Sequence, residues 1–138
     1  MTEKVRFELA TPTRLVVTAA VEEVVAPGVE GYFGVWPGHA PFLASLGTGL
    51  VSYRDGGREH LLAVNGGFAE VGPDRVIILA DTAERPEEID VARAQRARER
   101  AEQRLAGKGG EEVDYARALA ALNRATARLQ LAGRTPSH

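Results

Sequence analysis

The sequence predicts an α+β fold: an N-terminal antiparallel β-sandwich or barrel, followed by a C-terminal antiparallel two-helix hairpin. Two observations indicate this. All four Phe, the only Trp and 11 of the 15 Gly precede Pro86, whereas Ala, Arg, Gln, Glu and Leu dominate after it. Short apolar runs separated by turn residues fill the first part, and long stretches with helical spacing fill the second. We therefore divide the chain into domains at residues 1–86 and 87–138.

Short strands separated by turns are predicted for the first domain. Val5 to Leu9 alternates apolar and polar residues, which is the period of a half-buried strand. Asp55-Gly56-Gly57 and Gly72-Pro73-Asp74 provide turns, because these residue types tolerate the backbone angles of tight connections. The other predicted strands are Leu15 to Ala20, Val21 to Ala26, Leu50 to Tyr53, Leu61 to Val64, Phe68 to Val71 and Arg75 to Ala80.

The first helix is predicted to begin at Pro86 and to run to about Ala106. Proline suits a first helical position, because the N–H that it lacks would have no partner there. Glu87, Glu88 and Asp90 place negative charge at the positive end of the helix dipole.

The second helix is predicted from about Glu112 to Leu131. Gly107-Lys108-Gly109-Gly110 separates it from the first, and Gly133 and Pro136 are expected to end it. The two helices face each other through stripes of small residues, which permit close approach but bury little area. We therefore expect a hairpin that can detach or rearrange. The stripes are Ala94, Ala97, Ala101 and Leu105, and Ala118, Leu122, Ala125, Leu129 and Ala132.

Composition bounds the function classes. The chain has no cysteine, which excludes disulfides and thiol chemistry and fits a reducing cytosolic setting. We see no signal peptide and no apolar run of membrane-spanning length. The net charge of −2 is unevenly spread, with 7 basic and 13 acidic residues up to Glu88 and 10 basic and 6 acidic ones after it. This asymmetry predicts two modules with different partners.

Catalytic and metal-binding patterns are not found in the sequence. His39, His60 and His138 are isolated, and neither a paired-histidine metal motif nor a Gly-x-Ser-x-Gly elbow occurs. Gly107-Lys108 lacks the remainder of a phosphate-binding loop and reads as an interhelical turn. We therefore predict no catalytic residue, no metal ligand and no required cofactor.

Arginines form a stripe on each predicted helix. Like-charged pairs four residues apart cost about 0.2–0.5 kcal/mol each, and no acidic residue follows Tyr115. A solvated helix face is one interpretation, and an anionic partner (an acidic protein segment, a nucleotide or nucleic acid) is the one we favour. Nucleic acid is disfavoured, because the chain is slightly acidic and Tyr115 is the only aromatic residue of the basic half. The stripes are Arg93, Arg96, Arg100 and Arg104, and Arg117, Arg124 and Arg128.

Motifs in both domains closely resemble those of the epsilon subunit of bacterial F-type ATP synthases. They match in order and spacing along essentially the whole chain. The segments are Gly34–Leu43 (GVWPGHAPFL), Leu50-Val51, Asn65–Val71, Ala80–Glu84, Ile89–Ala94 and Val113–Ala118.

The resemblance implies a non-catalytic rotor subunit that couples proton flow to ATP synthesis. Its first domain would grip the gamma subunit and sit on the ring of c subunits, at the cytoplasmic face of the bacterial plasma membrane. Glu30, Tyr32, Phe33 and His39 would lie at this c-ring and gamma contact. The family often has an acidic residue where Tyr32 stands, so a packing contact is expected there in place of an ionic one.

The resemblance also implies a regulatory hairpin with two positions. Folded down, the hairpin rests on the sandwich. Extended, the hairpin runs along the gamma subunit and blocks ATP hydrolysis. In that position its basic residues would meet an acidic segment of the beta subunit, and the alpha subunit is also an expected partner. The implied beta contacts are Arg96, Arg100, Arg104, Arg117, Arg124 and Arg128.

Some family members bind regulatory ATP in the folded-down hairpin. The alternative interpretation of the Asp90 and Arg93 pair is that they merely interact at the helix N-terminus. A free-standing ATP-sensing module and a nucleic-acid-binding β-domain are the rival functions for the whole chain. The positions that match the ATP-binding residues are Glu84, Ile89, Asp90, Arg93, Ala94, Arg100, Arg124 and Arg128.

Overall fold

The computed structural model describes residues 3–108 and 114–134. The chain divides into two compact units, Met1–Arg85 and Pro86–His138. Within the described residues the first unit consists of eight strands, and the second contains a short 3-10 turn and two helices. The strands are β1 Val5–Ala10, β2 Leu15–Val21, β3 Glu23–Gly28, β4 Gly31–Val35, β5 Phe42–Ser45, β6 Thr48–Asp55, β7 Arg58–Val71 and β8 Arg75–Glu84.

The strands follow one hydrogen-bonded path in the order β2-β1-β8-β7-β6-β3-β4, and β5 pairs with β7. Pairing is antiparallel except between β1 and β8, which run parallel from Arg6↔Arg75 to Ala10↔Leu79. The path ends at β2 and β4 and is not closed within the described residues, so the predicted sandwich is confirmed and a barrel is not formed.

β7 bends at Gly66 and Gly67, which have positive φ values of 69° and 104°. Before the bend β7 pairs with β6, and after it with β5. A Cβ atom at Gly67 would lie only 2.0 Å from the carbonyl oxygen of Leu79. Glycine therefore lets one continuous strand turn from one layer of the sandwich into the other. The prediction of separate strands at Leu61–Val64 and Phe68–Val71 is wrong for this reason.

Apolar side chains from both layers fill the core. Phe7, Leu9 and Ile78 are fully buried, as are Val51 and Val64 to within a few per cent. Burying a side chain of this size stabilises the fold by about 1.5–3 kcal/mol. The alternation predicted for Val5 to Leu9 is confirmed, because its apolar members point inward.

Two strands that the sequence did not predict, β4 and β5, lie at Gly31–Val35 and Phe42–Ser45. β4 contains Gly31 and Gly34, and the loop before β5 contains Pro37 and Pro41. Because these residue types indicate turns, the two strands could not be recognised from the sequence. β4 pairs with β3, and β5 pairs with β7.

The first helix begins later than predicted. Pro86–Glu88 form a 3-10 turn, and α1 spans Val91–Leu105. Asp90 is its N-cap, and its carboxylate accepts the main-chain N–H of Arg93 at 3.0 Å. Aspartate satisfies an otherwise unpaired N–H of the first turn, which proline cannot do. The predicted placement of Pro86 in the first turn of α1 is therefore wrong.

The second helix, α2, spans Tyr115–Arg134. Gly133 lies within it, so the prediction that this glycine ends the helix is wrong. Gly107 has a φ of 75° and follows the end of α1, as the predicted break requires. The predicted helix start at Glu112, and the predicted stop at Pro136, lie outside the described residues.

Alanines form the packed faces of the two helices. Ala94 and Ala101 of α1, and Ala118 and Ala125 of α2, are buried, so the core of each predicted stripe is confirmed. Leu131 is also buried, and helical spacing puts it on a different face of α2.

Candidate functional site

An exposed row of apolar side chains crosses the outer face of the first unit, and we call it the apolar belt. Its members are cross-strand partners or diagonal neighbours: Leu15 pairs with Ala10, Ala10 with Leu79, and Leu79 with Phe68. On β5 the direct partner of Phe68 is Ser45, and Leu43 lies diagonally to Phe68, opposite Glu70. The belt therefore spans β2, β1, β8, β7 and β5.

The belt is exposed because its residues alternate with core residues. The neighbours Leu9, Ile78 and Ala69 point inward and are fully buried. The exposed fractions of Leu15, Leu43, Phe68 and Leu79 are 63%, 74%, 54% and 45%. Apolar side chains gathered in one row are typical of a surface that a partner covers.

Charged side chains occupy the other end of the same outward face. Arg6 and Glu8 form an ion pair at 2.9 Å, and Glu70 and Arg75 form one at 3.1 Å. Their strand positions alternate with the same period as the belt, so both groups face outward. The face therefore combines an apolar row with a charged border on one side, the two kinds of surface that protein interfaces contain. A cleft of about 410 Å³ in this margin is lined by Arg6, Glu8, Asp74, Arg75 and Ile77.

The residues implied for the c-ring contact lie on β4, in the turn before it and in the loop after it. Glu30 is exposed in the turn between β3 and β4, and Tyr32 is 59% exposed on β4. Phe33 and His39 both contact the ring of Phe42, with ring centroids 5.3 and 5.1 Å away. Phe33 and His39 thus meet in one aromatic cluster.

A groove of about 450 Å³ runs beside this cluster between residues 28–33 and 42–45. Val29 and Leu43 stand at it with 65% and 74% of their surface exposed. Glu30 is the one charged side chain among the lining residues. We call this region the tip groove; it was missed at residues 42–45 because β5 was not predicted.

The hydroxyl of Tyr32 is already engaged within the fold. It accepts the main-chain N–H of Leu50 at 3.0 Å. A Cβ atom at Gly49 would lie 2.4 Å from that hydroxyl oxygen, so glycine makes room for it. Tyr32 therefore joins β4 to β6, and more than half of its surface stays exposed.

The arginines of the helical unit are largely on its surface. Arg93, Arg96, Arg100 and Arg104 are exposed on α1. On α2, the predicted stripe is more covered: Arg117 is exposed, whereas Arg124 and Arg128 are half-buried.

Both helices begin with the same capping arrangement. Asp114 accepts the main-chain N–H of Arg117 at 3.1 Å, as Asp90 does that of Arg93 at 3.0 Å. The Asp-x-x-Arg spacing therefore has a structural role at each helix start. The bond between Asp90 and Arg93 at the helix N-terminus therefore uses the main chain of Arg93 and not its guanidinium.

The remaining residues matched to ATP binding fall in both units. Glu84 ends β8 in the first unit and is half-buried. Ile89 is half-buried before α1, and Ala94 is 2% exposed. A ligand contact at Ala94 would therefore come from its main chain.

Residues 3–108 and 114–134 offer neither a metal-binding cluster nor a membrane-spanning helix. No group of three or more His, Cys, Asp or Glu side chains there could hold a metal ion. No helix in this part of the chain is long and apolar enough to cross a membrane.

Comparison with known families covers both units. Residues 4–86 match the family model described as ATP synthase, Delta/Epsilon chain, beta-sandwich domain. Residues 87–133 match the one described as ATP synthase, Delta/Epsilon chain, long alpha-helix domain.

Curated relatives are similar over most of their length. The ATP synthase epsilon chain of Koribacter versatilis is 53% identical over 111 residues, covering 80% of this chain and 78% of that relative. The ATP synthase epsilon chain of Moorella thermoacetica is 57% identical over 100 residues, covering 72% and 75%.

Solved structures support the fold. A chain of the Euglena gracilis mitochondrial ATP synthase (OSCP/F1/c-ring) matches with a TM-score of 0.79 and 24% identity, over 92% of this chain and 79% of that chain. One from the Tetrahymena thermophila central stalk and c-ring matches with a TM-score of 0.58 and 15% identity, over 96% of both. The family models and curated relatives together establish that this chain belongs to the delta/epsilon chain family of ATP synthases.

Proposed function

We propose that this chain is a non-catalytic rotor subunit of the central stalk of an F-type ATP synthase, and that its first unit docks on the gamma subunit through the apolar belt. The belt is the observation that carries the proposal. Leu15, Leu43, Phe68 and Leu79 would stay exposed on an isolated unit, and covering them stabilises a complex. The charged margin formed by the two ion pairs would fix the orientation of the partner.

The tip groove is the proposed contact with the ring of c subunits. Its outward surface combines Val29 and the ring of Tyr32 with the carboxylate of Glu30, and Leu43 lies at its border with the apolar belt. Because the Tyr32 hydroxyl is bonded to the main chain of Leu50, the exposed carbon atoms of its ring remain for the partner. We therefore propose that apolar packing makes this contact and that Glu30 supplies the charge of the groove.

The helical unit is proposed to inhibit ATP hydrolysis. The exposed guanidinium groups of Arg96, Arg100, Arg104 and Arg117 suit an acidic segment of the beta subunit, because arginine binds carboxylates in a bidentate manner. The alanine faces between α1 and α2 bury little area, which suits an element that changes position.

Regulatory ATP is proposed to bind the same unit. Arg93 and Arg100 on α1, with Arg124 and Arg128 on α2, would neutralise the phosphate chain. ATP would stabilise the hairpin position that it binds more tightly, and only to the extent of that difference in affinity.

Co-purification tests the central proposal. The chain is coexpressed with a tagged gamma subunit, and the complex is washed at 0.5 M salt, which is on the order of the concentration that screens surface ion pairs. An equimolar complex that survives the wash supports docking through apolar contacts. An ATP-sensing module that works alone would bind ATP and pass through without gamma, and that outcome would replace the proposal.

A further inference from the structure

Two arginine side chains hold the end of β8 against the start of β2. The guanidinium of Arg14 donates to the main-chain carbonyl of Ala83 at 3.1 Å. The guanidinium of Arg85 donates to the main-chain carbonyl of Val16. Each arginine comes from one of the two segments and binds the main chain of the other. We call this pair of bonds the arginine clasp.

The clasp lies where β8 extends beyond its neighbour β1. β1 pairs with β8 only as far as Ala10↔Leu79, whereas β8 continues to Glu84 along β7. Past Ala10, the chain turns, and the main-chain N–H of Thr11 donates to the carbonyl of Arg14 at 2.9 Å. The turn brings Arg14 beside the second half of β8. A half-buried main-chain carbonyl needs a hydrogen-bond donor, and β1 no longer supplies one at Ala83. The guanidinium of Arg14 supplies it instead.

The clasp also lies next to the point where the chain leaves the first unit. Arg85 is the last residue of that unit, and Pro86 begins the 3-10 turn of the next. Proline fixes its own φ and restricts the residue before it. Glu84, one of the residues matched to ATP binding, lies between the two clasped positions Ala83 and Arg85. The clasp thus holds the end of β8, and Pro86 restricts the backbone directly after it.

We propose that Arg14 and Arg85 are positioning residues for the helical hairpin, and that the clasp fixes the pivot about which the hairpin changes position. This role rests on the proposed function of the hairpin as an inhibitor of hydrolysis. Without the clasp, the last residues of β8 fray, and the hairpin reaches its inhibitory position from a variable starting point. Inhibition then weakens although the hairpin itself is unchanged.

Hydrogen exchange of the isolated full chain tests the clasp first. In the double variant Arg14→Ala/Arg85→Ala, amides of residues 80–84 are expected to exchange about tenfold faster or more, because two charge-assisted bonds are lost. Amides of residues 76–79, which β1 still covers, should be unchanged and serve as an internal control. Arg58→Ala, which removes an exposed arginine from the start of β7, is the matched control. Should the double variant not fold, Arg14→Lys/Arg85→Lys is used, since it keeps the charges but loses the planar guanidinium.

Hydrolysis by the reconstituted ATP synthase tests the positioning role. We expect the double variant to bind gamma like the wild type. Its inhibition of ATP hydrolysis is expected to be at least about threefold weaker than that of the wild type. Unchanged exchange at residues 80–84 overturns the clasp, and faster exchange with full inhibition overturns its positioning role. If the wild-type chain does not bind gamma, the proposed function fails. The exchange experiment still tests the clasp in that case, because it uses the isolated chain.

Discussion

Phe68 and Leu79 are direct cross-strand partners on β7 and β8, and both point away from the core. More than half of Phe68 and almost half of Leu79 is exposed, whereas their chain neighbours Ala69 and Ile78 are fully buried. The strand alternation that builds the core thus also builds the apolar belt on the opposite face. A pair of large apolar groups at its centre has the character of an interface hot spot.

Phe68→Glu is therefore expected to weaken binding to the gamma subunit by at least about 30-fold, since burying the new charge against an apolar partner costs about 2 kcal/mol or more. Calorimetric titration with purified gamma measures the change. Val29→Glu is the matched control, because it puts the same charge at an exposed apolar site in the tip groove. Comparable losses in both variants would argue against the belt as the docking surface.

Calorimetry with ATP tests the arginines of the helical unit. The wild-type chain is expected to bind ATP, and Arg93→Ala to weaken that binding about tenfold or more, by removing charge-assisted bonds to phosphate. Arg98→Ala is the control, because Arg98 lies elsewhere around α1 and is 3.9 Å from Glu102. No heat with the wild type at millimolar ATP removes nucleotide binding from the proposal.

Asp90 requires a separate variant, because its carboxylate also caps α1. Asp90→Asn keeps a side-chain oxygen for the cap, whereas Asp90→Ala removes it and should cost about 1 kcal/mol of helix stability. If Asp90→Asn retains both the stability and the ATP affinity of the wild type, Asp90 is a capping residue alone.

Gly67→Ala is expected to destabilise the first unit by about 3 kcal/mol or more. The added Cβ would meet the Leu79 carbonyl oxygen at 2.0 Å, and the φ of 104° is unfavourable for alanine. Gly133→Ala, in open space on α2, should instead stabilise its helix by about 0.4–1 kcal/mol. Thermal unfolding measures both. A neutral Gly67→Ala would contradict the bend described for β7.

Deletion of the hairpin tests its inhibitory role. A chain ending before Glu87 keeps the belt and the clasp and should still assemble with gamma. Hydrolysis of ATP by the reconstituted complex is expected to rise, because the arginine faces proposed to meet the beta subunit are gone. Hydrolysis equal to that of the full-length complex would show that the hairpin is not an inhibitor here.

Much of the fold could be predicted because local chemistry determines it. The alternation of Val5 to Leu9 gives β1, and Asp55-Gly56-Gly57 gives the connection between β6 and β7. Helical spacing and Gly107 give the hairpin. These features depend on residues close in sequence, where periodicity and turn chemistry are informative.

The features that the sequence did not predict depend on distant partners. β7 continues through Gly66 and Gly67 because it pairs with β6 before these glycines and with β5 after them. The parallel pairing of β1 with β8 joins segments about seventy positions apart.

The same limit applies to the candidate site. Phe and Leu are residue types usually found in protein cores. Only the strand register shows that Phe68 and Leu79 form an exposed row with Leu15. The bond from Leu50 to Tyr32 and the arginine clasp likewise appear only in three dimensions.

The most direct measurement is the dissociation constant of the purified wild-type chain for the purified gamma subunit. A surface with an apolar row and a charged border predicts a one-to-one complex with a dissociation constant on the order of 1 μM or lower, which corresponds to about −8 kcal/mol. Absence of binding at 100 μM, which is about a hundredfold above that value, would contradict the assignment of the apolar belt to the rotor.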